Sequence, residues 1–230
     1  MRLSIVIPVF NEKNTILEIL KRIEAVDLGA EKEIIIVDDC STDGTRELLK
    51  PIKGKYKIFF HEKNYGKGRA LRTGLIEATG EAIVVQDADL EYDPADFALM
   101  LKIMREQNAL AVYGSRRLHH NYFEGRYSGH IFALGGIFLT WLTNLLYKTG
   151  ITDEPTCYKM FKTGLLKSLD LKCERFEFCP EVTAKIAKRG IKIIEVPINY
   201  YPRHKREGKK INWQDAVEAV WTLLKYRFKK

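Results

Sequence analysis

The sequence predicts an α/β fold in which a mostly parallel central β-sheet is flanked by helices. Short apolar runs of β-type residues alternate with amphipathic stretches of helical periodicity through the first half of the chain, and this alternation is typical of parallel sheets covered on both faces. With 230 residues, of which 46% are hydrophobic, the chain is long enough to bury one sizeable core. We therefore expect one domain over residues 1–230, regular up to residue 117 and more elaborate over residues 118–230.

Five strands and four helices are expected in the regular part. The predicted strands are Leu3–Pro8, Glu33–Val37, Lys57–Phe60, Ala82–Gln86 and Ala109–Gly114. The predicted helices between them are Thr15–Ala25, Thr45–Lys50, Gly68–Ala78 and Pro94–Glu106. Ligands of open parallel sheets bind at the carboxyl ends of the strands. The loops that follow these strands are therefore the first places to look for a functional site.

The second half of the chain is less regular. We expect helices at Ile131–Tyr147, at Pro180–Lys188 (closed by Gly190) and at Trp213–Phe228, with a strand at Ile193–Ile198. The apolar stretch from 131 to 147 is shorter than the roughly 20 residues that span a bilayer. It is compatible with a core helix and with a helix lying in a membrane interface, since it is rich in aromatic residues.

An acidic tip follows the fourth predicted strand, with Asp87-Ala88-Asp89 at its centre and Glu91 just beyond. Carboxylate oxygens suit Mg²⁺ or Mn²⁺, and a metal held by one or two carboxylates keeps coordination positions for phosphate oxygens. Taken alone, the motif is equally compatible with a turn or a helix cap, because Asp93-Pro94 makes a good start for the next helix.

Three further strand-end loops, residues 8–12, 38–45 and 64–68, are also polar or glycine-rich. Local turns explain some of these residues singly, as Asp43-Gly44 is a typical turn pair. Turns do not easily explain why all four loops at one sheet edge are polar. Their convergence favours a binding site for a phosphorylated ligand.

The order of these motifs resembles the family 2 glycosyltransferases of GT-A fold, and within them the dolichyl-phosphate (polyprenyl-phosphate) mannose synthases. The motifs that carry the resemblance are Ile7–Glu12, Val37–Thr45, Asn64–Gly68, Asp87–Asp89 and Gly114–Arg116. The resemblance implies a Rossmann-like nucleotide-binding sheet. It assigns residues 1–117 to the nucleotide sugar and residues 118–230 to the acceptor.

The resemblance also implies roles for individual residues. It places the following residues in or near the nucleotide pocket: Pro8, Phe10, Glu12, Val37, Asp39 and Lys67. Asp87 and Asp89 would hold Mg²⁺ or Mn²⁺ on the diphosphate, with Ala88 beside the sugar nucleotide. Glu91 is a plausible third ligand, at a position where the related synthases often carry glutamine.

Basic residues are expected on both phosphates of the reaction. A leaving nucleoside diphosphate gains negative charge as the anomeric bond breaks, so cations lower that barrier, and Lys67, Arg203 and Lys209 are candidates. Arg116, with Arg117 and Arg126, is better placed in the motif order to hold an acceptor phosphate.

The implied reaction is a metal-dependent, inverting transfer of a hexose from GDP-mannose or a UDP-hexose to a polyprenyl or dolichyl phosphate. Such a phosphate is already an anion, whereas a hydroxyl acceptor needs a carboxylate base; Asp153 and Glu154 are the candidates for that base. The segment Thr156–Lys159 departs from the Thr-Ser-Gly-Phe-like pattern of the mannose synthases. A glycan or other hydroxyl acceptor, and a non-catalytic nucleotide-sugar-binding protein, stay open as alternatives.

Charge and cysteine usage indicate partners and compartment. The net charge of +8 favours anionic partners, but no aromatic stacking platform or reading motif accompanies the basic residues, which argues against nucleic acid. The spacing of the four cysteines matches neither a zinc site nor a redox pair. The first apolar run is too short for a signal peptide, so we expect a cytoplasmic protein, peripheral on the cytoplasmic membrane face through residues 131–147 and 213–230.

Overall fold

A computed structural model describes residues 1–118, 130–202 and 213–229, with residues 130–132 described by their backbone only. These residues form a seven-stranded sheet in the order β3-β2-β1-β4-β6-β5-β7. The strands are β1 (Arg2–Val9), β2 (Glu31–Asp38), β3 (Lys57–Phe60), β4 (Ala82–Val85), β5 (Ala111–Ser115), β6 (Lys159–Lys162) and β7 (Ile193–Pro197). The predicted α/β fold is confirmed.

The sheet is parallel apart from β6. Strand β1 is central and pairs in parallel with β2 and β4, so that Ile5 lies opposite both Ile34 and Val84. Strands β3 and β7 extend the sheet in parallel from β2 and β5. Strand β6 runs antiparallel between β4 and β5. The sequence showed only an apolar segment there, so this strand was missed.

The helices are α1 (Ile16–Ala25), α2 (Thr45–Leu49), α3 (Lys67–Glu77), α4 (Asp96–Glu106), α5 (His130–Tyr147), α6 (Thr163–Ser168), α7 (Phe178–Lys188) and α8 (Trp213–Phe228). Single 3₁₀ turns follow α2 at Lys50–Ile52 and β5 at Arg116–Leu118. Every helix expected from the sequence is present, with each end within two residues of the predicted one, and α6 is additional.

Side-chain alternation along the strands divides the core into two clusters, one on each face of the sheet. Ile5 and Ile7 of β1 pack on one face with α1 and α4. Val6 packs on the other face with α3 and α7. Helix α3 approaches the sheet closely at Gly74, where an added Cβ would lie 2.5 Å from Val6 Cγ1.

Helices α5 and α8 pack beside α7, outside the two core clusters of the sheet. Leu223 of α8 is fully buried in a third apolar cluster, against which Leu139 and Leu142 of α5 pack. Tyr147 donates a hydrogen bond to the Leu223 carbonyl at 2.6 Å. Within the described residues, no helix combines the length and apolarity that crossing a bilayer requires. Helix α5 packs one of its sides against this third cluster.

Candidate active site

The acidic tip lies at the carboxyl end of β4, and a lysine covers it. Lys67, the first residue of α3, places its Nζ 2.5 Å from Asp87 Oδ1 and 3.1 Å from the Cys157 sulfur. Burial by itself lowers the pKa of Lys67, but the Asp87 carboxylate outweighs it and raises that pKa well above its usual value. The ammonium is therefore charged at neutral pH and neutralises part of the tip.

The backbone of the tip turns sharply at Leu90, a non-glycine residue in the left-handed region with φ of 64°. Beyond it, the amide of Glu91 donates to Asp89 Oδ1 at 3.1 Å. The segment after β7 fastens the turn, since Tyr201 N donates to the Glu91 carbonyl and Tyr200 Oη donates to Glu91 Oε2, both at 2.8 Å. The tip is thus shaped by residues more than 100 positions away in the sequence.

Asp87 and Asp89 fit a divalent metal that is shared with a diphosphate. Within the described ranges, no group of three or more histidine, cysteine, aspartate or glutamate side chains converges as a complete ligand set. Two hard carboxylate donors with the remaining positions left to phosphate and water are the usual arrangement for Mg²⁺ in nucleotide sites. Glu91 stays a predicted third ligand, and its carboxylate is hydrogen-bonded to Tyr200.

Asp39, predicted in the nucleotide pocket, closes the loop between β3 and α3. Its carboxylate accepts the amides of Tyr65 at 3.0 Å and Gly66 at 2.7 Å, and it lies 2.7 Å from His61 Nδ1. The other ring nitrogen of His61 lies 3.0 Å from the Thr73 hydroxyl. Asp39 therefore holds together the loop that presents Lys67. A direct contact between Asp39 and a base remains a prediction.

The remaining pocket residues divide into two groups. Pro8 and Phe10 are half-buried at the end of β1, and Glu12 accepts the Thr15 hydroxyl at 2.8 Å. The side chains of the other two residues, Val37 and Ala88, are buried. The Val37 side chain is fully buried in the core against α3, and the Ala88 side chain is buried in the opposite cluster. Their assignment to the nucleotide site stays a prediction.

Arg116, after β5, is paired with Asp153. Its Nε and Nη2 donate to the two Asp153 oxygens at 2.7 and 2.8 Å, and its amide donates to the same carboxylate at 3.0 Å. The guanidinium also lies 5.0 Å from the centre of the Tyr200 ring. Burial by itself raises the pKa of Asp153, but the Arg116 guanidinium outweighs it and brings that pKa below its usual value. This arrangement suits Asp153 for orienting Arg116 better than for accepting a proton, and the catalytic roles of both residues stay predictions.

Glu154 is completely buried, and no donor among the residues that the structure describes forms a hydrogen bond with either of its carboxylate oxygens. The Lys159 ammonium lies 3.5 Å from Oε2, and it donates to the Glu154 carbonyl at 2.7 Å. Burial raises the pKa of the Glu154 carboxyl to about 8. Glu154 lies inside the protein, where an acceptor hydroxyl does not reach it.

Several residues of the site were missed by sequence reasoning. Cys157 contacts Lys67, and Tyr200 connects the acidic tip to Arg116. Tyr92 stacks on Tyr158 at 4.6 Å and contacts Tyr200 at 5.1 Å between ring centres, so an aromatic ladder supports the tip. Tyr200 and Tyr201 follow the last predicted strand. Because ligands bind at the carboxyl ends of parallel strands, their position could have identified them as residues of the site.

The predicted cations Arg203 and Lys209, and the predicted acceptor residue Arg126, lie outside the described residues. Arg117 lies within them and donates to the Thr152 carbonyl at 2.9 Å. The residues gathered at the sheet edge are therefore Lys67, Asp87, Asp89, Arg116 and their supports.

Comparison with known proteins identifies the family of the chain. The sequence matches the family described as "Glycosyl transferase family 2" over residues 4–170. The chain belongs to glycosyltransferase family 2, and it is a glycosyltransferase.

Two curated relatives have informative names. A "Dolichol-phosphate mannosyltransferase" of Pyrococcus furiosus is 27% identical over 91% of this chain and 59% of its own length. A "Dodecaprenyl-phosphate galacturonate synthase" of Rhizobium johnstonii is 26% identical over 88% of this chain and 60% of its own length. This chain thus spans about three-fifths of each of these relatives.

Among solved structures, glucosyl-3-phosphoglycerate synthase from Mycobacterium tuberculosis matches 99% of this chain and 78% of its own, with a TM-score of 0.76 and 20% identity. That structure was determined with Mn²⁺, uridine diphosphate and phosphoglyceric acid. At this identity the likeness establishes the GT-A-like fold.

Proposed function

We propose that the chain is a metal-dependent, inverting hexosyltransferase that moves mannose or glucose from a nucleotide sugar to a polyprenyl phosphate at the cytoplasmic membrane face. The names of the two curated relatives support the choice of a polyprenyl phosphate acceptor. The site supports the chemistry, because carboxylates that suit a divalent metal and cations that suit phosphate meet at one sheet edge.

The observation that carries the proposal is an apolar face on helices α5 and α8, exposed on the outside of the protein. We define the apolar face as Leu134, Ile137, Phe138, Trp141 and Leu145 of α5 with Trp213, Val217, Trp221 and Phe228 of α8. Their exposed fractions run from 47% at Ile137 to 79% at Phe228. So many large apolar side chains exposed on two neighbouring helices indicate a binding surface.

A membrane surface suits this apolar face. Tryptophan and phenylalanine are typical of interfacial helices, and no acidic or basic residue occurs between positions 131 and 147. The exposed basic residues Lys225, Arg227 and Lys229 stand at the end of α8, where anionic lipid headgroups favour them. Docking through this face would bring a lipid acceptor to the protein without a spanning helix.

The surroundings of the two candidate bases also favour a phosphate acceptor. Asp153 is engaged by Arg116 through both oxygens, and Glu154 is fully buried. A hydroxyl acceptor needs a carboxylate base, for which these two residues are the first candidates, whereas a lipid phosphate is already an anion. Arg116 would bind that phosphate, and its pairing with Asp153 would fix the direction of the guanidinium.

On the donor side, Asp87 and Asp89 would hold Mg²⁺ or Mn²⁺. The metal, when bound, stabilises the negative charge that develops on the leaving diphosphate. Lys67 would add a second positive charge beside it. Asp39 would maintain the loop that carries Lys67, through its bonds to the Tyr65 and Gly66 amides.

A transfer assay tests the proposed function. The protein is incubated with labelled GDP-mannose or UDP-glucose, Mn²⁺ and vesicles that contain polyprenyl phosphate, and lipid-extractable label is counted. We expect label in the lipid fraction with one of the donors, and none after Asp89→Ala in a protein that still folds. Label transferred to glycan oligosaccharides or to free 3-phosphoglycerate, with none in lipid, would refute the polyprenyl phosphate acceptor; donor binding without any transfer would support the non-catalytic alternative.

Flotation with phosphatidylglycerol-containing vesicles tests the membrane step separately. Trp221→Glu removes an apolar side chain from the apolar face and should lower the vesicle partition coefficient by at least about tenfold, since burying such a side chain contributes about 1.5–3 kcal/mol. Ile76→Glu is the matched control, because Ile76 is 74% exposed on α3, away from the apolar face. Equal partitioning of both variants and the unmodified protein would contradict membrane docking through α8.

A further inference from the structure

We propose that Lys67 is a built-in counter-ion of the acidic tip: its ammonium occupies Asp87 until a divalent metal and a nucleoside diphosphate bind together, and it then contacts the diphosphate. The inference rests on the proposed nucleotide-sugar site. It goes beyond that proposal by predicting that the metal and the nucleotide bind cooperatively and by naming the residue responsible.

The first support is the competition for one carboxylate. The Lys67 Nζ lies 2.5 Å from Asp87 Oδ1, and the two side chains are only 18% and 13% exposed. A metal ion that takes this oxygen displaces the ammonium. Displacement without a new partner leaves a poorly hydrated positive charge next to a divalent cation, and an uncompensated buried charge is strongly unfavourable.

The second support is the freedom of the Lys67 ammonium to move away from Asp87. Besides Asp87, the ammonium lies 3.1 Å from the Cys157 sulfur and 6.0 Å from the centre of the Phe176 ring. The four-carbon stem of a lysine is flexible and carries a rotatable ammonium. A shift of the ammonium toward a phosphate oxygen therefore needs no change in the backbone.

The third support is the fixed backbone at the start of α3. Gly68 N donates to the Arg175 carbonyl at 2.8 Å, and Arg69 N donates to the Glu174 carbonyl at 2.9 Å. Gly66 also lies close to this segment: its φ is 96°, and an added Cβ would lie only 2.5 Å from the Glu174 carbonyl oxygen. These helix amides are committed to protein carbonyls, so at this point the positive charge for a diphosphate comes from the Lys67 side chain.

The consequence is a thermodynamic coupling. A metal alone must separate Lys67 from Asp87, whereas a metal with a diphosphate supplies a new anion for the ammonium. Coupling between two ligands is reciprocal, and typical coupling free energies correspond to about 5- to 150-fold changes in affinity. We expect the affinity for Mn²⁺ to rise by a factor in this range when nucleoside diphosphate is present.

The experiment is a Mn²⁺ titration followed by electron paramagnetic resonance of the free ion, without nucleotide and with saturating GDP or UDP. It uses the unmodified protein, Lys67→Met and Lys67→Arg. Lys63→Met is the matched control: it makes the same charge change in the same loop, at an exposed lysine that lies over the Tyr65 ring. Thermal unfolding of each variant establishes that it is folded.

Lys67→Met should bind Mn²⁺ about tenfold or more tightly without nucleotide, and its gain in affinity on adding nucleotide should be smaller than that of the unmodified protein by a similar factor, because only the direct coordination of the diphosphate by the metal then couples the two ligands. Lys67→Arg and Lys63→Met should retain the coupling. Unchanged nucleotide-free Mn²⁺ affinity in Lys67→Met, or equal coupling in Lys67→Met and the unmodified protein, would overturn the inference. Failure of both GDP and UDP to bind would refute the proposed function instead, while the nucleotide-free comparison would still test the counter-ion.

Discussion

The pair formed by Arg116 and Asp153 offers a quantitative test of the acceptor side of the site. Replacement Asp153→Ala removes three hydrogen bonds, at 2.7, 2.8 and 3.0 Å. It leaves the Arg116 guanidinium, whose side chain is 19% exposed, without its carboxylate. Removing one partner of a buried ion pair costs about 3–5 kcal/mol. We expect the free energy of unfolding to fall by about 3 kcal/mol, the lower end, because Arg116 keeps some contact with water.

Urea unfolding at neutral pH, followed by circular dichroism, measures this loss. With an m value of about 2 kcal/mol/M, a loss of about 3 kcal/mol moves the midpoint down by about 1.5 M. Glu47→Ala is the control, because Glu47 is paired with Lys50 on the surface and both side chains are more than half exposed. Surface pairs contribute little, so the midpoint of this control should stay unchanged.

Asp153→Asn separates an orienting role from a proton-accepting one. If Asp153 orients Arg116, the amide keeps the shape but loses the charge, so KM for the acceptor rises more than kcat falls. If Asp153 is a general base, kcat falls by about 10²–10⁴ while KM for the acceptor changes little. An Asp153→Ala protein as stable as the unmodified one, combined with loss of kcat alone, would refute our account of this pair.

Two further predictions concern the fold. Burial by itself raises the pKa of Glu33, but hydrogen bonds from Lys57 and two hydroxyl groups outweigh it and lower that pKa from 4.5 to about 2. The ionised Glu33 carboxylate therefore stabilises the folded protein fully above pH 4.5, and this contribution is lost as the pH falls toward 2. Glu33→Gln should flatten the decline of the unfolding free energy between pH 4.5 and 2 in urea titrations, and an unchanged slope would contradict this. Gly74→Ala should lower the free energy of unfolding by about 1–3 kcal/mol, because the added methyl group overpacks against Val6. Gly164→Ala is the control, and it should be neutral or stabilising because Gly164 lies in a helix with open space around it. Equal unfolding midpoints for the two variants would contradict the prediction, since they would show that the close approach at Gly74 relaxes freely.

Much of the fold could be predicted because periodicity and strand-end rules act locally. The five strands of the first half and the acidic tip were located from apolar runs and the polar loops behind them. Strand β6 escaped because it is short and antiparallel, and it begins with Lys159, a residue type that is rarely buried. The burial of Lys159 is explained by tertiary contacts, because its ammonium lies beside the Glu154 carboxylate and the Tyr113 ring.

The site was predicted less completely than the fold, since side-chain direction depends on tertiary packing. Val37 and Ala88 belong to motifs that end at the site, yet their side chains point into opposite core clusters. Cys157 and Tyr200 had no motif of their own, and they enter the site through contacts with Lys67 and Glu91 from distant parts of the chain. Sequence patterns identify which loops converge, whereas the direction of each side chain follows from the packing.

One physical principle connects the donor and acceptor sides of the site. The cation on each side is already paired with a carboxylate, Lys67 with Asp87 and Arg116 with Asp153. Isolated charges in such poorly exposed positions would be strongly destabilising, so the folded protein can keep these proposed phosphate-binding cations in place only if carboxylates neutralise them. The two pairs differ in a way that suits their roles. Arg116 is held by both oxygens of a fully buried carboxylate and stays in place, whereas Lys67 is a single-point contact on a flexible stem and can exchange its partner.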